Sequence, residues 1–360
     1  MKIVIKLSSN LLNPSNSSDM ISKIASETES LINNGHTVLI VTSGAVMYGM
    51  KTLGITKRPK DVPLLQSAAS IGQVKLMNRY SLVFDKYKIK IGQILLSADD
   101  FRIRKRYLNL RNTIETLIDN GIVPIINEND SINTEELKFG DNDHLASLLS
   151  VMLNFDILAL LTVVDGFYDS DPSENPEAKV IPLIDCIDKF HINNANSKTN
   201  EYSTGGIKAK LESAFKVAGA SIEVFIGNGF NVSLNDVINK TAFGTYIRGD
   251  GTRSTAKKSW LAFSPPADGT ISIDAGAYNA MKHQSSLLAA GITCINGTFK
   301  QGDLINIAFE GTDIARGLVN YNNSELELIK GKNSKDFEKI LSRSTIYEEV
   351  IHKNNLFLLE

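Results

Sequence analysis

Several side chains in this sequence sit where they could handle anions. Lys6 lies inside the apolar run IVIKLSSN. A buried ammonium is costly unless an anion or carboxylate meets it, so Lys6 either faces a negative group or reaches solvent from the strand end. Lys210, in STGGIKAKL, follows paired glycines that open a helix. Free amides and the positive helix end would face an anion there; the plainer reading is a surface lysine. The segment VTSGA, Val41 to Ala45, ends an apolar run in small residues. Such a turn exposes backbone amides and the Ser43 hydroxyl to an anionic ligand, unless it only joins a strand to a helix. The chain has no G-x-x-x-x-G-K-[ST] phosphate loop.

The densest polar stretch is PIINENDSI, followed closely by KFGDNDHLA. Asn127, Glu128, Asn129 and Asp130 come directly after an apolar run, and Gly140, Asp141, Asn142 and Asp143 precede a helix expected to begin near His144. Amides and carboxylates gathered this way can grip an ammonium while a carboxylate organises Mg²⁺ or a lysine. The alternative is two solvated turns with an aspartate cap. His144 reads as helix surface, and no histidine–cysteine–carboxylate group resembles a zinc site or a nucleophilic triad.

The elements that must position these residues are legible as alternating strands and helices. Nearly continuous apolar runs predict strands at Ile3 to Lys6, Thr37 to Thr42, Lys90 to Leu96, Ile122 to Asn127, Ile157 to Thr162 and Ile222 to Ile226, each suited to a parallel strand covered on both faces. Helical patterns fill Asp19 to Asn33, Pro63 to Phe84, Tyr107 to Asn120 and Asp143 to Asn154, with Gly35 and Gly121 placed as C-caps. This predicts an open, mostly parallel α/β/α sandwich over residues 1–250. Ligands of such sheets bind beyond the carboxyl ends of the strands, and the polar motifs above follow strands. The pattern changes at GDGTRSTAKK, Gly249 to Lys258, which reads as a linker. Residues 256–360 then show short strands at Trp260 to Phe263, Gly269 to Ile273, Thr293 to Asn296, Leu304 to Phe309 and Ile314 to Val319, predicting a small β-rich barrel-like module.

Bulk properties narrow the setting. A formal net charge of −2 over 360 residues gives no long-range attraction for nucleic acid or anionic membrane. Two cysteines, Cys186 and Cys294, make no disulfide framework, which suits a reduced cytoplasmic location. The N-terminus reads as a strand rather than a signal peptide, and no stretch is long and apolar enough to span a bilayer.

Taken together and in order, VTSGA, YLNLRNTIETLIDNGIVPIINEND, FGDNDHLA, LLTVVDGFYDSDP and TGGIKAKL resemble the glutamate 5-kinase family of the amino-acid kinase superfamily. The tail is similar to that family's PUA domain through FSPPADGTISIDAGA, SSLLAAGI, FKQGDLI and VNYN. The INEND–FGDND pair is the specific element, since sister kinases share the lysines and glycine turns but not the pair. The resemblance implies ATP-dependent phosphorylation of the γ-carboxylate of L-glutamate, with Mg²⁺ carried mainly on the ATP phosphates, as the first step of proline synthesis. Proline is the implied inhibitor at a site overlapping the glutamate pocket. Residue by residue, it assigns Lys6 and Lys210 to the transferring phosphoryl group and Asp143 to holding both lysines. Ser43, Asp130 and Asn142 would bind glutamate, with Asn127 and Asp141 nearby. Thr162, Val163 and the segment Thr204, Gly205, Gly206, Ile207, Lys208, Ala209 and Lys210 would contact the nucleotide. The acceptor is already an anion, so no general base is required.

Two positions depart from the family pattern. Ser8 and Ser9 stand where glycine is usual after the first strand, and serine hydroxyls would there replace backbone donors. Val163 stands where an aspartate often follows the threonine, with Asp165 two residues on. An acetylglutamate or aspartate kinase is the rival enzyme reading, although those lack the PUA tail. An RNA-binding role for the tail is the rival of another class. Residues 256–360 carry 11 basic against 12 acidic side chains, whereas a phosphate-binding surface should be basic. RNA is therefore not an expected partner; the tail is expected to be structural or to support a homo-oligomer, dimer or tetramer.

Overall fold

Strand β1, Lys2–Leu7, alternates side chains between two covered faces, and this sets the architecture around it. The computed structural model describes residues 1–13, 17–132, 142–170, 172, 175–184, 213–215, 217–249, 269–283, 285–342 and 347–359. Around β1 lie β2 (Thr37–Val41), β3 (Lys90–Leu96), β4 (Ile122–Glu128), β5 (Ile157–Thr162), β6 (Leu183–Ile184), β7 (Glu223–Asn228) and β8 (Thr245–Ile247). They form one eight-stranded sheet in the order β3-β4-β2-β1-β5-β7-β8-β6. The strands from β3 across to β7 are parallel, and β8 runs against β7. The six strands expected from the sequence are present; β6 and β8, too short to signal themselves, are additions.

Helices cover both faces. Ile3, Ile5 and Leu7 of β1 pack into one apolar cluster with Ile21 and Ile24 of α1 (Ser17–Asn33) and with Leu76, Tyr80 and Phe84 of α3 (Val62–Phe84). The intervening residues Val4 and Lys6 turn the other way, toward α6 (Asn142–Met152), whose side chains from Leu145 to Met152 are all buried. A helix buried along most of its length belongs in a core, and α6 is one. It starts at Asn142, so Asn142 and Asp143 form its first turn rather than preceding it.

Between β2 and α3 lies the short helix α2, Ala45–Thr52. Its N-cap is Gly44 at φ 96°, a left-handed conformation that a side chain would strain. A Cβ on Gly49 would lie 1.8 Å from the Ala68 carbonyl oxygen, and one on Gly72 would lie 1.7 Å from that of Ala45. Helices α2 and α3 therefore touch backbone to backbone. Gly35 follows α1 at φ 78°, and Gly121 follows α5 (Arg104–Asp119), the helix after the short α4 (Ala98–Arg102), at φ 67°, as their reading as C-caps requires.

One expectation needs correcting: β3 is not covered on both faces. It is the outermost strand of the sheet, pairs among the described residues with β4 alone, and is partly exposed along most of its length.

The chain divides into two compact units, the first comprising Met1–Asp100 and Leu108–Arg253 and the second Phe101–Tyr107 with Ser254–Glu360. The second unit holds a five-stranded sheet of β9 (Gly269–Ile273), β10 (Ile292–Gly297), β11 (Leu304–Phe309), β12 (Thr312–Leu318) and β13 (Leu356–Leu358), in the order β10-β9-β11-β12-β13. Its apolar cluster includes Ile271, Phe299, Ile307, Tyr321 and Phe337. Helices not anticipated from the strand-like pattern also belong to it, among them Ala275–Lys282, Asn323–Ile329 and the short Phe337–Leu341. Asp274 caps Ala275–Lys282, and a reciprocal Asn322–Glu325 capping box opens Asn323–Ile329. The linker from residue 250 on and the Trp260–Phe263 strand lie outside the described residues.

Candidate active site

The carboxyl ends of β1, β2, β4 and β5 lie side by side, and backbone hydrogen bonds fix the segments that leave them. Ser8 N–H donates to Leu161 O (3.1 Å), Thr42 N–H to Ile126 O (2.8 Å) and Asn129 N–H to Leu96 O (2.7 Å). The residues just beyond β1, β2 and β4 are thus anchored to neighbouring strands.

Lys6 is 2% exposed, and its Nζ lies 2.5 Å from Asp143 Oδ1, itself 1% exposed. Of the two readings open for this lysine, the structure selects the buried, carboxylate-paired one. The pair links the central strand to the first turn of α6. Removing either partner would strand the other charge in the core.

Beside it, three predicted side chains join in one network. Asn142 Nδ2 donates to Ser43 Oγ (3.0 Å) and to Asn127 Oδ1 (3.2 Å). Asn127 Oδ1 also accepts from Glu128 N–H (3.0 Å), and Asn127 Nδ2 donates to Gln73 Oε1 (2.8 Å). Asn127 is almost fully buried and is the penultimate residue of β4 rather than part of a loop after it. The Thr42 hydroxyl, just before Ser43, meets the buried Tyr80 hydroxyl at 2.9 Å, tying the turn to α3. Burial pushes the Tyr80 phenol well above its usual range, and the Thr42 hydrogen bond offsets only part of that rise. Asp130 lies nearby in sequence; burial pushes its carboxyl upward, partly offset by the Arg58 guanidinium.

The departure at Ser8 acquires a definite geometry. Its backbone N–H and C=O are both engaged, the latter accepting from Leu11 N–H at 3.1 Å. Its buried hydroxyl has no hydrogen-bond partner among the described residues. The donor offered here is the side chain, not the backbone.

On the far side of β1, Thr162 closes β5 and is buried, while Val163 is exposed. The side chain of Asn228, at the end of β7, donates to Val163 O (3.2 Å) and to Asp165 Oδ1 (3.0 Å), and accepts from Phe230 N–H (3.1 Å). Asp165 is thus part of a braced turn. Neither Asn228 nor Gln73 was among the predicted residues. The signal for Asn228 was available, since it is a polar residue ending an apolar strand; Gln73 is a lone amide inside a helix and gave none. Asp141 and the whole segment Thr204, Gly205, Gly206, Ile207, Lys208, Ala209 and Lys210 lie outside the described residues. Among the described residues, no group of three or more His, Cys, Asp or Glu side chains could hold a metal ion.

Residues 1–228 match the amino acid kinase family, and residues 269–341 match the PUA domain. Among curated relatives, the glutamate 5-kinase of Thermoanaerobacter sp. (strain X514) is 37% identical over 100% of this chain and 98% of its own. Glutamate 5-kinase 1 of Bacillus subtilis (strain 168) is 40% identical over 98% of this chain and 97% of its own. Among solved structures, carbamate kinase from Giardia lamblia bound to AMP-PNP aligns with 69% of this chain and 98% of its own, at TM-score 0.51 and 18% identity, which speaks to the fold alone. With full-length identity at this level on a parallel sheet that gathers the lysine, the aspartate and the amides at its carboxyl ends, the chain belongs to the glutamate 5-kinases of the amino acid kinase family.

Proposed function

We propose that the chain transfers the γ-phosphoryl group of ATP to the γ-carboxylate of L-glutamate, giving L-glutamyl 5-phosphate and ADP. The observation that carries this reading is the buried Lys6–Asp143 pair set directly beside the Ser43–Asn142–Asn127 network. A carboxylate oxygen of glutamate attacks the γ-phosphorus, a new P–O bond forms, and the bond to the ADP oxygen breaks. Such a transfer needs positioning and neutralisation of charge more than proton movement. Lys6 supplies a point charge to the phosphoryl oxygens, with Lys210 as its expected counterpart. Asp143 holds Lys6 in place. Ser43, Asn127, Asp130, Asp141 and Asn142 are the glutamate-binding set, and Thr162, Val163 and the segment from Thr204 to Lys210 the nucleotide-binding set. Mg²⁺ enters with ATP as part of that substrate.

Within this reading the reaction opens proline synthesis in the cytoplasm, and proline inhibits it by occupying the glutamate pocket through its own α-carboxylate and ammonium. Residues 1–250 form the kinase domain and 256–360 a PUA-like domain that supports assembly of a homo-oligomer. The test is an assay of ATP-dependent hydroxamate formation with hydroxylamine. Acyl phosphate should be trapped with glutamate and not with aspartate or N-acetylglutamate; trapping with either of the latter alone would reassign the acceptor.

A further inference from the structure

Helix α3 carries a buried polar side chain that the assignments above do not use. Gln73 is 8% exposed, and the other buried residues of its helix are apolar or small apart from Tyr80. A buried carboxamide is costly unless its hydrogen-bonding groups are matched.

Its orientation follows from a single backbone group. Glu128 N–H can only donate, and it lies 3.0 Å from one terminus of the Asn127 side chain, so that terminus is Oδ1. The Asn142 atom 3.2 Å from the same oxygen must then be Nδ2. The other terminus of Asn127 is Nδ2, so the Gln73 atom 2.8 Å away is Oε1. One peptide N–H thereby orients three carboxamides. Two atoms are left over, Gln73 Nε2 and Asn142 Oδ1, both buried and without a hydrogen-bond partner among the described residues. The network therefore ends in a donor on one side and an acceptor on the other. An amino-acid zwitterion offers the complementary pair, a carboxylate that accepts and an ammonium that donates. Gly72 holds Gln73 at its depth, because its lack of a side chain lets α3 lie against the backbone of Ala45 and Gly49.

We propose that Gln73 is a specificity-determining residue of the amino-acid site, its Nε2 donating to a carboxylate oxygen of the substrate while Asn142 Oδ1 accepts from the ammonium. The inference rests on the glutamate reading above and adds to it a residue and a direction for each hydrogen bond.

The test compares Gln73→Glu and Gln73→Met with the unaltered full-length enzyme, using glutamate, MgATP and thermal unfolding. Gln73→Glu keeps an oxygen toward Asn127 but replaces the N–H donor with a carboxylate oxygen. The expected result is a glutamate KM raised at least about tenfold in Gln73→Glu and less in Gln73→Met, with the ATP KM within about twofold in both. A glutamate KM unchanged in both folded variants, even with a lowered Tm, would make Gln73 a packing residue and overturn the proposal. Should both fail to fold, Gln73→Asn, which withdraws the same carboxamide by one methylene, is read against the same criterion. An unaltered enzyme that forms no acyl phosphate from glutamate sinks the activity reading, and that failure appears before any variant is measured.

Discussion

At the scale of single residues, the Lys6–Asp143 pair makes the sharpest demand on the chain. Both side chains are almost wholly buried, so each helps to offset the cost of burying the other's charge. Asp143→Ala should cost about 3–5 kcal/mol of stability by removing the counter-charge from a buried ion pair, and should lower kcat by orders of magnitude. Urea unfolding and steady-state kinetics on the same preparation would separate the two effects; near-normal kcat would remove the pair from the chemistry. Asp130 makes a second demand. Burial raises its carboxyl pKa, so the folded protein without ligand loses stability as pH rises through that titration. A substrate ammonium prefers the ionised form, which reverses the preference. The glutamate KM should therefore climb as pH falls through the Asp130 titration, and this slope should flatten in Asp130→Asn. A KM profile identical in enzyme and variant would place the ammonium elsewhere.

At the scale of elements, the site depends on how closely α2 approaches α3. Gly49 and Gly72 meet the opposing backbone with no room for a methyl group. Gly72→Ala should force the helices apart, at a cost of about 1–3 kcal/mol or more. Because α2 begins directly after Ser43 and Gly44, the glutamate KM should rise more than the ATP KM; calorimetry and kinetics together would check this, and equal rises would point to general loosening. The same comparison shows what the sequence could convey. The strands β1, β2, β4, β5 and β7 were legible because burial on both faces writes a continuous apolar run. Lys6 was legible as an anomaly within such a run, but its partner was not fixed locally, since the pairing depends on how α6 returns to β1. Gln73 was invisible because one amide on a long helix carries no periodic signal, and its meaning comes only from Asn127 on another element. The edge position of β3 was hidden for a similar reason: its composition reads as a buried strand, and only topology exposes it.

At the scale of the whole molecule, the question is what the second unit contributes. Each unit has its own apolar cluster, one built on Ile3, Ile5, Tyr80 and Phe225 and the other on Ile271, Phe299, Tyr321 and Phe337. A unit with its own core is expected to fold without its neighbour. The proposed catalytic and substrate-binding residues all precede residue 250, so truncation after about Gly251 should leave a folded protein that still turns over ATP and glutamate. Proline shares the α-carboxylate and ammonium of glutamate, so its inhibition of the full chain should be competitive with glutamate and weakened by Asn142→Ala. The truncated protein should keep that competition and lose assembly or the steepness of the proline response. Steady-state kinetics with light scattering on both proteins would measure this. Loss of all activity on truncation would mean that the two units do not divide the labour this way. A tight, salt-sensitive RNA complex formed only by the full chain would instead assign the second unit a nucleic-acid partner, against its near-neutral charge.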